Sequence, residues 1–227
     1  MPVMPACEFR ACGDGYMAVK MDAEQRKIQI LECAKKIFSA KGYYQTQISD
    51  IQHAAGVARG TIYQYFKNKD DIFATLLENL YRDWRNVLSR KPEQSSEAYN
   101  SGFGVFRFKI KKTFDFFAEN PDYCKILLRV GLGIGDNFDR IITRFDTQMV
   151  ELINEYLNSG IKLGRVKEAI DVELVTNLIS GAFMRMVYYY VIMKRHRGTV
   201  DTDELTNRFV TAVAYGIFAE KYDKKMG

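Results

Sequence analysis

The sequence has little of what secreted, metal-bound and catalytic proteins are built from. Among its 227 residues there are four cysteines and two histidines. Cys7, Cys12, Cys33 and Cys124 fall at irregular spacings, and His53 and His196 stand far apart. Neither a disulfide framework nor the paired ligands of a zinc site can be drawn from them. The opening stretch, MPVMPACEFRACGDGYMAVK, has no apolar core of signal-peptide length, and no segment offers the roughly 20 apolar residues that span a bilayer. The apolar run from Phe183 to Met193 is short and is broken by Arg185. No Ser, Cys, His or paired-carboxylate set stands in a catalytic arrangement. The glycines of Gly131-Leu132-Gly133-Ile134-Gly135 have the wrong spacing and context for a dinucleotide loop, which needs G-x-G-x-x-G after a strand. A non-enzymatic cytoplasmic protein with reduced thiols, no metal and no cofactor is the expectation.

What is present is an ordinary globular composition, 47% hydrophobic and 27% charged, with a net charge of +5 and a pI near 8.9 that permit a polyanionic partner. From Asp22 the apolar residues recur at helical spacing almost to the end, with no convincing alternation at strand spacing. The fold class is therefore all-α, with about nine helices. Ile30, Leu31, Ala34, Ile37 and Phe38 form the first stripe, closed by Lys41 and Gly42. Thr46 is the expected cap of a helix over 47–55 that stops at Gly56, and a further short helix follows from Arg59 to Phe66. Asn68 caps the next, whose face carries Ile72, Phe73, Leu76, Leu77, Leu80, Trp84 and Leu88. A polar loop over 91–102 separates these from the later helices. Asn120-Pro121 divides two of them, and a long one spans about Asn137 to Leu163. Asp171 caps one reaching about Lys194, and Asp201 or Thr202 opens the last, ending near Tyr222. The expected organisation is a flexible arm over 1–21, a three-helix domain over 22–68 and a larger helical domain over 69–227.

Two short helices joined by a tight glycine-containing turn make a helix-turn-helix, whose second helix can lie in the DNA major groove. Ile51, Ala55, Val57, Ile62 and Phe66 are spaced to seat both helices on the first. That arrangement turns Gly60, Thr61, Tyr63 and Gln64 outward. Between Arg59 and Lys69 there are three bases and no acid, which suits phosphate. From Ile30 to Ile72 the chain resembles the DNA-binding domain of TetR-family regulators, through Gly42-Tyr43, Thr46, Ile51, Ala55-Gly56-Val57, Gly60, Tyr63, Tyr65-Phe66 and Lys69. The resemblance implies that Thr46, Tyr63, Tyr65 and Lys69 hold phosphates of a double-stranded operator. It also implies that Arg59, Gly60, Thr61 and Tyr63 face base edges. Arg59 has the fork that fits guanine O6 and N7, and Gly60 lets the backbone approach closely. Two positions depart from the family pattern: Ala58 where a Ser or Thr cap is usual, and Gln52 where a small Ala is usual.

The last helices are apolar on more than one face. Leu174 to Met193 is apolar nearly all round, and Leu205 to Phe218 has one face with Phe209, Val213, Gly216 and Ile217 and another with Val210, Ala214 and Phe218. A homodimer that pairs these two helices into a four-helix bundle would bury both faces, in accord with the family's architecture. In the aromatic and Met-rich interior of the larger domain, Trp84, Phe106, Phe117, Met149 and Tyr189 suit either core packing or a pocket for a small apolar or aromatic effector. The helix from about Lys69 to Arg90 is the expected single lever from that interior to the DNA. Lys194-Arg195-His196-Arg197 reads as a solvated helix end. The function expected is a ligand-responsive repressor binding a palindromic operator as a homodimer. The alternative is a helical module whose terminal bundle binds a protein partner, with DNA binding secondary.

Overall fold

The computed structural model describes residues 22–94, 102–129, 136–194 and 200–215. Among them all regular structure is helical: α1 (Ala23–Lys41), α2 (Ile48–Ala55), α3 (Arg59–Tyr65), α4 (Lys69–Ser89), α5 (Gly102–Glu119), α6 (Pro121–Arg129), α7 (Asp136–Lys162), α8 (Val172–Val187) and α9 (Thr202–Tyr215), with a π-helical turn over Tyr188–Met193. No helix among the described residues is long and apolar enough to cross a membrane. The arm before Asp22, the triple-glycine stretch, Arg195-His196-Arg197 and the last helix beyond Tyr215 lie outside the described residues.

The chain forms two compact units, one from residues up to Tyr81 with Lys125–Ile142, the other from Arg82–Cys124 with residues from Thr143 on. Three helices, α4, α6 and α7, therefore contribute residues to both. The single lever expected from the sequence is thus one of several helices shared in this way. Periodicity along one helix cannot reveal where a distant helix joins the same unit.

In the first unit, α1 starts at Asp22, whose carboxylate accepts the Gln25 N–H at 2.7 Å while the Gln25 side chain accepts the Asp22 N–H. This reciprocal capping satisfies two of the donors a helix start leaves open. The helix stops at Gly42, whose φ of 79° and ψ of 170° belong to a region that side chains avoid. Thr46 does not cap α2 as expected. Gln47 takes that position, its N–H held by the Asp50 carboxylate at 2.9 Å. The Thr46 hydroxyl turns inward, fully buried, and donates to the Gly42 carbonyl at 2.6 Å. A buried hydroxyl must find an acceptor, and the carbonyl just past α1 is within its reach. Asn68 caps α4 as expected, accepting the Asp71 N–H at 2.8 Å. Asp71 in turn accepts the Lys67 N–H.

The second unit is built around aromatic rings. Phe114 of α5 meets Phe183 of α8 at 4.5 Å, and Phe209 of α9 stands nearly perpendicular to both. Phe117 and Trp84 gather on Phe145, the Trp84 ring at 4.2 Å. A polar ladder fastens α9 to α5. Arg107 donates to Asn207, Lys111 reaches Asp203 at 3.3 Å, and the Thr202 hydroxyl donates to Asp115. The residues on α5 are four apart, so one helix face carries all three rungs. Burial opposes it, but the bonds from Thr202 and Lys111 hold the Asp115 carboxyl below its usual range. The outer face of α8 and α9 stays uncovered: Leu174 is 56% and Leu178 is 62% exposed.

The helix expected to run unbroken to Lys194 changes pitch at Tyr188. The Lys194 N–H reaches back five residues to the Tyr189 carbonyl at 2.9 Å. Such a turn shifts the register by one residue. A hydrophobic pattern read at 3.6 residues per turn does not register so small a slip over three tyrosines.

Candidate nucleic-acid interface

The reader helix α3 is seven residues long, too short to stand alone, so its orientation comes from packing. Ile62 and Phe66 point inward and are almost wholly buried, as are Ile51 and Ala55 of α2 and Ile30 and Ala34 of α1. Two side chains of α1, one turn apart, also cap the far end of α2. Gln29 donates to the Ala55 carbonyl at 3.1 Å, and the Cys33 thiol to the Ala54 carbonyl at 3.4 Å. Helix ends leave such carbonyls without an intrahelical partner. Gln29 and Cys33 therefore hold the turn at Gly56, left-handed with φ 63°, and through it the start of α3. The polar pair borders the apolar stripe of the first helix, and its spacing of four is the one local signal of this role. Ala58 starts α3 without a side-chain cap, in keeping with its methyl side chain.

Packing turns the other side of α3 to solvent. Arg59, Gly60, Tyr63 and Gln64 are exposed, and Thr61 and Tyr65 are half-buried. The Arg59 guanidinium lies 5.8 Å from the Tyr63 ring centroid, so the fork and the phenol share one patch. A Cβ built on Gly60 meets nothing within 4 Å. The glycine is thus not demanded by the fold, and Gly60→Ala is expected to leave the melting temperature unchanged or raise it, since alanine is favoured in helices by up to about 1 kcal/mol. If the bare backbone meets DNA, the same methyl should cost about 1 to 3 kcal/mol of operator affinity, the worth of one base contact. Anisotropy titration beside a thermal melt separates the two, and unaltered affinity would remove Gly60 from the contact set.

Lys69 begins α4 directly after the reader. Its ammonium donates to the Tyr43 carbonyl at 3.0 Å and sits 4.3 Å from the centroid of the Tyr43 ring. Tyr43 is itself wedged among Phe38, Phe73 and Phe138, and its hydroxyl donates to Asp70 at 2.6 Å. Burial, reinforced by Asp70, pushes the Tyr43 phenol above its usual range. It is a fixed hydrogen-bond donor and a platform for Lys69. In the sequence Tyr43 marks only the family resemblance, and this supporting role is visible only in the fold. Of the four residues expected to hold phosphate, Tyr63 is exposed, Tyr65 and Lys69 are half-buried, and Thr46 is enclosed with its hydroxyl committed to Gly42. The nearest acid at the start of α2, Asp50, is bonded to Lys41 at 2.6 Å. Although burial opposes it, the Lys41 and Gln47 bonds hold its carboxyl below the usual range.

The second set of candidates lies in the other unit. Trp84, Phe106, Phe117 and Met149 are buried. Trp84 and Phe117 share Phe145, while Phe106 stacks on Tyr156 at 4.3 Å. Tyr189 is half-buried in the π turn, against Tyr190 and 5.0 Å beneath the Lys194 ammonium. Among the described residues no group of His, Cys, Asp and Glu could hold a metal ion. A groove of about 1040 Å³ opens elsewhere, between α8 and α9, lined by Val175, Leu178, Ala182, Met186, Ala212 and Val213.

Residues 30–76 match the family described as bacterial regulatory proteins, tetR family. A fatty acid metabolism regulator protein of Bacillus subtilis (strain 168) is 28% identical over 169 residues, which is 73% of this chain and 83% of that protein. The HTH-type transcriptional repressor KstR2 of Rhodococcus jostii (strain RHA1) is 22% identical over 209 residues, 85% of this chain and 91% of the repressor. Among solved structures, the transcriptional regulator FadR from Bacillus subtilis in complex with stearoyl-CoA superposes with a TM-score of 0.66 at 26% identity, covering 84% of this chain and 99% of that one.

Proposed function

Because the chain belongs to the TetR family of bacterial regulatory proteins, in which it is a DNA-binding, ligand-responsive transcriptional regulator and not an enzyme, we propose that it represses its target genes as a homodimer on a palindromic operator and releases them on binding a long-chain fatty acyl thioester. The observation that carries DNA binding is the exposed patch of Arg59, Gly60, Tyr63 and Gln64 on a helix whose opposite side is wholly buried. Arg59, Thr61 and Tyr63 are the proposed base contacts, and Tyr63, Tyr65 and Lys69 the proposed phosphate contacts. Thr46 acts through its loop, because its hydroxyl is already used. The acyl class is supported by the stearoyl-CoA named for the solved relative, and by an interior of large rings and Met149 that suits an apolar chain. Dimerisation through α8 and α9 is supported by the exposed leucines and the apolar groove between those helices.

The test is a genomic selection: the chain is incubated with sheared bacterial DNA, bound fragments are recovered, and the recovery is repeated with a long-chain acyl-CoA present. The expected outcome is a small set of fragments sharing an inverted repeat with half-sites one helical turn apart or a multiple of it, depleted by acyl-CoA and not by coenzyme A alone. Fragments without a shared repeat would count against the dimeric operator, and recovery unaffected by acyl-CoA against the effector class.

A further inference from the structure

Tyr44 is 70% exposed, more than any other large apolar or aromatic side chain among the described residues, Tyr63 on the reader helix included at 46%. Leaving so large a ring in water forgoes about 1.5 to 3 kcal/mol of burial, and the loop that carries it is not loose. Gly42 donates to the Phe38 carbonyl at 2.8 Å, Thr46 closes back on Gly42, and the neighbouring Tyr43 is clamped among three phenylalanines. The Tyr44 ring meets Tyr43 edge-on at 5.3 Å. The Lys69 ammonium lies 4.3 Å from that same Tyr43 ring. Tyr43 thus holds a cation on one part of its surface and an exposed phenol on another, both beside the start of the DNA-reading module.

The electrostatics of the loop agree. From Gly42 to Ser49 the chain carries no charge, and its exposed side chains, Tyr44, Gln45, Gln47 and Ser49, are all neutral donors. The acid that follows, Asp50, is bonded to Lys41. A phosphate drawn toward Lys69 meets hydrogen-bond donors along this loop, while the exposed Asp70 carboxylate beside it is occupied by the Tyr43 hydroxyl. A phenol held on a rigid base also loses little conformational freedom on binding.

We propose that the Tyr44 hydroxyl donates a hydrogen bond to a DNA phosphate flanking the bases read by α3, so that Tyr44 sets the docking of the reader without selecting sequence. The contact rests on the DNA binding described above, which the unaltered chain reports separately in the same titrations. Full-length Tyr44→Phe and Tyr44→Ala chains are titrated by fluorescence anisotropy with a selected operator duplex and with a random duplex of equal length, across a salt series. Tyr44→Phe keeps the ring and its contact with Tyr43, so its fold is not in question. Both variants should lose about five- to tenfold on both duplexes, the worth of one net hydrogen bond. The slope of log affinity against log salt should stay as in the unaltered chain, whereas Lys69→Ala should lower its magnitude by about one. Tyr44→Phe binding as tightly as the unaltered chain overturns the proposal. So does a loss confined to the operator, which would make Tyr44 a base contact, or a changed salt slope, which would make its effect one of charge.

Discussion

Leu178→Glu should convert the proposed α8–α9 homodimer into a folded monomer and lower affinity for a palindromic operator by about 10²- to 10⁴-fold, the gain that linked binding of two half-sites provides. Leu178 is 62% exposed in the single chain, and a substitution at such a position usually changes stability by no more than about 0.5 kcal/mol. The monomer should therefore keep its helical circular dichroism and its melting profile. In a two-fold bundle of α8 and α9 the same position meets the partner's apolar face, and symmetry brings two glutamates into it. An unpaired charge buried there costs several kcal/mol, more than an interface built on Leu174, Leu178 and the groove between α8 and α9 can absorb. Binding to a random duplex should fall far less, because each reader keeps the phosphate contacts proposed for it. Sedimentation velocity gives the mass and anisotropy the affinity. A variant that remains dimeric would move the interface away from α8 and α9.

The boundaries of the helices were legible where one residue has one physical job. Gly42, Gly56, Asn68, Pro121 and Asp171 each end, begin or cap a helix where the sequence puts it. The apolar face of α4 from Ile72 to Trp84 was legible for the same reason: every residue named there is buried. Thr46 was misread because a threonine before a helix can serve either end of the loop, and only the fold decides that its hydroxyl meets Gly42 and not α2. The outward set on α3 follows from inverting its buried pair, Ile62 and Phe66. What Lys69 rests on does not, since Tyr43 lies 26 residues earlier and long-range partners leave no periodic trace. Phe138 was assigned to the long helix but not to the first unit, where it meets Tyr43 and Phe73. Nothing local to α7 marks the point at which its neighbours change.

A long-chain acyl-CoA should quench or shift the fluorescence of Trp84 and weaken operator binding roughly 5- to 150-fold over the same concentration range, a coupling of about 1 to 3 kcal/mol. Trp84 is the chain's one tryptophan, so the optical signal has a single source. Its ring, on α4, lies 4.2 Å from Phe145 on α7. The same two helices also meet in the first unit, where Phe73 of α4 stands edge-on to Phe138 of α7 at 5.1 Å. Aromatic pairs of this kind contribute about 0.5 to 1.5 kcal/mol beyond the area they bury. An acyl chain that parts the first pair changes the spacing of α4 and α7 at one end, and the second pair resists or follows. The shift in reader-helix populations cannot exceed the ligand's differential affinity for the two spacings, and linkage requires operator DNA to weaken acyl-CoA binding by the same factor. Phe138→Leu removes one ring edge while keeping an apolar side chain. It should therefore leave acyl-CoA binding near its original strength, read from Trp84, while cutting the fold-release of DNA. If Phe138→Leu releases operator as fully as the unaltered chain, transmission does not use the ring pair on α7 and falls to the continuous backbone of α4. If acyl-CoA alters Trp84 and leaves operator affinity unchanged, the interior binds lipid without governing DNA.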